Sequence, residues 1–159
     1  MNVAGILAGG VGSRVGAGIP KQFIEVLGKP VIAYTIDAFN SHPDINAILI
    51  VCVKPYIDYI WELKEKYGFG KLAWVTEGGS TFQESMINGV NFLSDKVKKD
   101  DTVLFHFAAS PFVTSEIIAD VIRVCKEKGT NAISATAFQG ENHSCKRIRR
   151  NAFQIALGH

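Results

Sequence analysis

The sequence predicts an α/β domain, doubly wound around a mostly parallel sheet. Three observations carry this. Apolar runs of strand length alternate with segments of helical period over residues 1–138. One run, Ala47 to Val53 (AILIVCV), is continuously apolar, as a parallel strand covered on both faces must be. The first run ends in glycines, at the point where such sheets carry their ligand loops.

Taken in order, Asn2 to Ala8 is a short buried strand. Gly9 to Gly18 holds five glycines and reads as a loop. Pro30 to Asn40 is a helix, with Ile32, Ile36 and Phe39 at i, i+4 and i+7. Ala47 to Val53 is the second strand. Tyr56 to Tyr67 is a helix with Ile60, Leu63 and Tyr67 on one side, and Leu72 to Thr76 is the third strand. Ser80 to Val97 is largely helix, capped by Ser80 or Thr81, with Glu84 completing a capping box. Thr102 to Phe107 (TVLFHF) is the fourth strand. Ser115 to Lys128 is a helix stopped by Gly129, and Ala132 to Phe138 is a fifth strand expected to lie in the same sheet. Beyond Phe138 the pattern breaks, so we divide the chain into a domain over 1–138 and a basic tail over 139–159.

Composition narrows the function classes. Hydrophobic residues make up 47% and charged residues 20%, which is globular and argues against disorder or coiled coil. No apolar run reaches the ~18–20 residues that span a bilayer, and the apolar N-terminus lacks the basic start of a signal peptide. The net charge of +2 comes from the tail: without Lys146, Arg147, Arg149, Arg150 and Glu141 the chain has 13 basic and 14 acidic residues. That basic run reads as solvated surface, so neither a nucleic-acid nor a membrane partner is expected. Cys52, Cys125 and Cys145 are odd in number and show no CxxC spacing. Cys52 and Cys125 sit in apolar runs as small buried residues, which suits a reducing, cytoplasmic setting.

The chemistry concentrates in Leu7-Ala8-Gly9-Gly10-Val11-Gly12-Ser13-Arg14. Glycines there let backbone N–H groups approach a phosphate. No GK[ST] closes the loop, so it is not a Walker A motif. Gly10 and Gly12 match a dinucleotide fingerprint, but Val15 takes the third glycine's place and no acid ends the second strand at Val53-Lys54. Arg14 and Lys21 flank the loop. Two cations beside a phosphate cradle suit a reaction in which charge builds on a phosphate and leaves as pyrophosphate. Either cation alone reads more readily as solvated surface than as a phosphate ligand; the whole string does not.

The string LAGGVGSRVGAGIPKQF resembles the opening motif of sugar-nucleotide and polyol-phosphate nucleotidyltransferases. Its PKQF ending is similar to the cytidylyltransferases that use 2-C-methyl-D-erythritol 4-phosphate or ribitol 5-phosphate. Gly28-Lys29-Pro30-Val31, Thr35 to Phe39, Glu77-Gly78-Gly79, Ser85, Asn88-Gly89 and His106 to Val113 continue the likeness. The resemblance implies a Rossmann-like nucleotidyltransferase fold. It implies that Leu7, Ala8, Gly9, Gly10 and Gly12 cradle CTP, and that Arg14 and Lys21 stabilise charge at its α-phosphate. Gly79, Ser80 and Ser85 would contact the cytosine. The implied partners are CTP and a small polyol phosphate, and the implied cofactor is Mg²⁺.

Three departures from that pattern stand out. Phe82 occupies the place of an arginine that follows the glycine pair. Phe107 and Ser110 occupy the places of the Asp and Arg of a His-Asp-Ala-Ala-Arg-Pro stretch. Phenylalanine offers no oxygen to Mg²⁺, so no metal ligand is assigned. The family pattern continues for roughly another 70 residues, so the fold is expected to be incomplete at the C-terminus. Two functions follow: a CTP-dependent cytidylyltransferase, or a truncated, catalytically weak or inactive nucleotide-binding remnant. Uncovered sheet would make the chain a homodimer or a marginally stable monomer.

Overall fold

A computed structural model describes residues 1–9 and 19–132, and the short strands Thr136–Ala137 and Ile148–Arg149. Four parallel strands form the central sheet: β1 (Asn2–Ala8), β4 (Ala47–Cys52), β5 (Leu72–Glu77) and β6 (Thr102–Phe107). Their spatial order is β5-β4-β1-β6. The two-residue strands β2 (Glu25–Val26) and β3 (Lys29–Pro30) make a separate antiparallel hairpin. Nothing in the residue pattern announces that hairpin beyond the Leu27-Gly28 turn, where Leu27 itself adopts φ 52°.

The strand order explains where the helices lie. From β1 the chain moves outward through β4 to β5, then returns to β1's other side as β6. Crossovers between parallel strands are right-handed, so reversing direction moves the helix to the opposite face. Accordingly α1 (Val31–Asn40) and α2 (Ile57–Tyr67) cover one face. Their Ile32, Ile36, Phe39, Ile60 and Leu63 pack with Ala4, Ile6, Ile48 and Ile50. α4 (Ser115–Lys128) joins that face through Ile118, Val121 and Ile122. α3 (Phe82–Leu93) covers the other face, over Val3, Leu7, Leu49, Val51, Val103 and Phe105. It lies close: a Cβ on Gly89 would stand 3.0 Å from both Phe105 and Val51.

Most expected elements stand within a residue or two of their predicted bounds, and the Thr81–Glu84 capping box is present. The helix predicted over Ser80 to Val97 is shorter, ending at Leu93. The fifth strand is the main correction. Ala132 lies outside any strand, and Thr136–Ala137 (β7) pairs antiparallel with Ile148–Arg149 (β8) in a sheet of its own. An apolar run sets a strand's conformation but not its partner. The rest of the tail, with Cys145, Lys146, Arg147, Arg150 and the alternation of Phe153, Ile155 and Leu157, lies outside the described residues.

Candidate active site

In an open parallel sheet, ligands bind beyond the carboxyl ends of the strands, where the strand order reverses. Here that point lies between β1 and β6, with the end of β5 nearby. Three chain segments meet there: Gly9 after β1, Gly78–Gly79 after β5, and Ala108 onward after β6.

Ser85 on α3 joins the first two. It is buried, and its hydroxyl accepts from the Gly79 N–H at 3.1 Å and faces the Gly79 carbonyl at 3.3 Å. A Cβ on Gly9 would stand 2.6 Å from Ser85 Oγ, and one on Gly78 would stand 2.9 Å from it. Glycine is required on both loops because the serine hydroxyl fills the space between them. Glu84, one residue earlier, holds the loop from outside. Its carboxylate accepts from the Ser80 N–H at 2.7 Å, the Ser80 hydroxyl at 2.6 Å and the Thr81 N–H at 3.3 Å. The Ser80 hydroxyl bond, above all, keeps the Glu84 carboxyl below its ordinary range.

Lys21 reaches the site through its neighbours. The Pro20-Lys21-Gln22-Phe23 segment forms a single 3-10 turn over Lys21–Phe23. Buried Gln22 donates its side-chain amide to the Ala8 carbonyl at 2.7 Å. Phe23 is buried and stacks on Tyr56, with ring centroids 4.0 Å apart and planes within 1°. These two anchors leave Lys21 exposed at the end of β1. Sequence reasoning missed Gln22; its signal was the polar residue in an otherwise anchoring Pro-Lys-Gln-Phe string.

The turn after β6 is pinned from the α1 face. Thr35 donates its hydroxyl to the Ala108 carbonyl at 2.8 Å. Buried His106 donates from Nε2 to the Ser110 carbonyl at 2.8 Å, and its buried Nδ1 has no partner among the described residues. Burial pushes the His106 imidazole below its usual range, against a weaker opposing effect of the Ser110 bond. On the α3 face, Phe107 packs against Phe82, with ring centroids 5.1 Å apart and planes at 34°.

The structure therefore brings Ala8, Gly9, Gly79, Ser80, Ser85 and Lys21 to one end of the sheet. Leu7 and Ala8 contribute backbone, and their carbonyls are taken by the Ala108 N–H and by Gln22. Gly10, Gly12 and Arg14 lie outside the described residues. Cys52 and Cys125 are free and buried; burial, with Glu77 adding to it, pushes the Cys52 thiol up to about 12, so it is no nucleophile. The described residues do not fit the Mg²⁺ that the resemblance implies. Phe107 presents a ring, Glu84 is engaged by three donors, and no cluster of three ligating side chains occurs among the described residues.

The model of the family described as 2-C-methyl-D-erythritol 4-phosphate cytidylyltransferase (IspD) matches residues 3–148. The chain belongs to the IspD cytidylyltransferase family. Among IspD-family relatives, a ribitol-5-phosphate cytidylyltransferase of Lacticaseibacillus paracasei is 43% identical over 161 residues, covering 97% of this chain and 68% of that protein. A 2-C-methyl-D-erythritol 4-phosphate cytidylyltransferase of Clostridium perfringens is 43% identical over 131 residues, covering 82% of this chain and 56% of that one. The chain thus spans between just over half and about two thirds of these relatives' length. The IspD fold is seen in the crystal structure of 4-diphosphocytidyl-2C-methyl-D-erythritol synthase from Anaerococcus prevotii. It superposes with a TM-score of 0.77 at 24% identity, over 99% of this chain and 70% of that one. Among the described residues no helix is long and apolar enough to cross a membrane.

Proposed function

We propose that the chain binds CTP at the carboxyl ends of β1 and β5 and transfers its cytidylyl group to a polyol phosphate, with ribitol 5-phosphate as first choice. The observation that carries the choice is the 43% identity over 161 residues to a protein named ribitol-5-phosphate cytidylyltransferase. A phosphate oxygen of the acceptor attacks the α-phosphorus of CTP. One P–O bond forms to the acceptor and the bond to the β-phosphate bridging oxygen breaks, so pyrophosphate leaves with that electron pair. Negative charge grows on the α-phosphate oxygens and on the leaving group, and Lys21, with Arg14, stabilises it. Glycine at 9 and 78 lets both loops close on Ser85, whose hydroxyl accepts from the Gly79 N–H and holds the Gly78–Gly79 loop in place for the base. Buried free thiols support a reducing, cytoplasmic setting.

A second reading, a nucleotide binder with weak or no transfer, is favoured by Phe107 packing on Phe82 where metal chemistry would need an oxygen. Incubation with CTP and either ribitol 5-phosphate or 2-C-methyl-D-erythritol 4-phosphate, with pyrophosphate and the CDP-polyol both measured, separates the readings. Product from ribitol 5-phosphate that disappears in Lys21→Ala supports the first. CTP binding without product supports the second, and absence of CTP binding overturns both.

A further inference from the structure

We propose that Thr35 and His106 are positioning residues for the acceptor: they clasp the turn from Ala108 to Ser110 against α1 and so fix its place relative to Lys21. The proposal rests on the transfer reading above. With CTP on the ends of β1 and β5, the turn after β6 is the segment at the strand reversal left to face the acceptor. A helical threonine commonly spends its hydroxyl on a carbonyl of its own helix, one turn back. Thr35 is fully buried and donates instead to the Ala108 carbonyl, 73 residues on, at 2.8 Å. His106 makes the second clasp, from Nε2 to the Ser110 carbonyl at 2.8 Å. Its ring packs on Phe39 of α1, with centroids 5.2 Å apart. The remaining backbone groups of these two turn residues are also engaged. The Ala108 N–H donates to the Leu7 carbonyl at 3.0 Å and the Ser110 N–H to the Phe107 carbonyl at 3.1 Å. The half-buried Ser110 hydroxyl makes no hydrogen bond among the described residues, which leaves it available to a ligand.

The same helix holds the turn that carries Lys21. The Val31 N–H donates to the Ile24 carbonyl at 3.0 Å, and the Ile24 N–H to the Lys21 carbonyl at 3.3 Å. Val31 opens α1 and Thr35 follows it at i+4, so the two attachments stand about one helical turn apart, a rise of ~6 Å. The first turn of α1 thus sets the spacing between the cation that takes up phosphate charge and the turn that faces the acceptor. In-line attack depends on that spacing, because a misplacement of ~1 Å can cost ~10²-fold. Loss of either clasp frees the turn after β6 and leaves the Lys21 attachment intact, so acceptor binding suffers and nucleotide binding does not.

The test is calorimetric titration with Mg²⁺ present, first of α,β-methylene-CTP, whose carbon bridge prevents loss of pyrophosphate. Ribitol 5-phosphate, and in parallel 2-C-methyl-D-erythritol 4-phosphate, is then titrated into the analogue-saturated chain. Thr35→Val keeps the shape and removes the hydroxyl; Thr35→Ser keeps the hydroxyl. Thr35→Val should weaken the bound acceptor by at least about fivefold and leave the analogue within about twofold, and Thr35→Ser should restore the acceptor to within about twofold of wild type. His106→Leu, which frees the Ser110 carbonyl and keeps Thr35, should give the same split, and it supplies the reading where Thr35→Val fails to fold. Unchanged acceptor affinity in these variants, equal loss of acceptor and analogue, or no rescue by serine overturns the positioning role and leaves the transfer reading standing. Failure of both Thr35→Val and His106→Leu to fold also overturns it, because the clasps would then serve the fold as a whole. A wild-type chain that binds the analogue but neither acceptor overturns the transfer reading and the positioning role with it.

Discussion

The side-chain amide of Gln22 donates to the carbonyl of Ala8 across 2.7 Å, inside the protein. This bond ties the turn that carries Lys21 to the end of β1. Without it the Ala8 carbonyl, buried among apolar groups, has lost its side-chain donor. Gln22→Ala should lower stability by ~1–3 kcal/mol, the cost of leaving a buried polar group unpaired. Urea unfolding checks this. The same variant should weaken tripolyphosphate binding although Lys21 is untouched; unchanged binding would mean that the turn holds its place by Phe23 alone.

Gly9 and Ser85 compete for one space. Gly9→Ala puts a methyl group 2.6 Å from Ser85 Oγ, and overpacking of this kind costs ~1–3 kcal/mol. Ser85→Ala removes the clashing oxygen, so Gly9→Ala/Ser85→Ala should be more stable than the sum of the single losses by at least ~0.5 kcal/mol. Strict additivity in denaturant melts would show that the two loops do not meet at Ser85.

Phe82 and Phe107 should behave as a unit. Phe107→Asp alone sets a carboxylate against the Phe82 ring and should cost ~1–3 kcal/mol. Adding Phe82→Arg gives that carboxylate a partner at the same contact. The double variant should then recover stability relative to the additive sum, by a coupling of ~0.5–3 kcal/mol. Zero coupling in thermal melts would rule out the contact.

His106 gives the fold an acid sensitivity. Its imidazole is neutral in the folded chain because burial depresses its pKa. As pH falls through the unfolded value of ~6.5, the unfolded chain takes up a proton that the folded chain refuses, so stability declines from there down to the folded pKa. Above that window this contribution is constant. His106→Gln keeps a donor for the Ser110 carbonyl and removes the titration. Its stability should therefore fall less than wild type between pH 7 and pH 5. Parallel curves for the two proteins would place the acid sensitivity elsewhere.

Local physics made much of this protein readable from its sequence. The bounds of β1, β6 and α4 stand where the apolar period, the threonine and glycine ends, and the glycine loop place them, because helix caps and strand periodicity are decided within a few residues. The specific string from Leu7 to Phe23 carried the family. Tertiary structure alone decided the rest. Nothing near Phe82 announces Phe107, since the two become neighbours only when α3 crosses to the face opposite α1. Gln22 gains its role only because the folded chain brings its side-chain amide to the Ala8 carbonyl, fourteen residues away. Thr136–Ala137 reads as part of an apolar strand, yet it pairs with Ile148–Arg149 and not with the central sheet. A strand's partner depends on which backbone edge the folded chain brings alongside it, and that is a property of the whole packing arrangement, absent from any local run of residues.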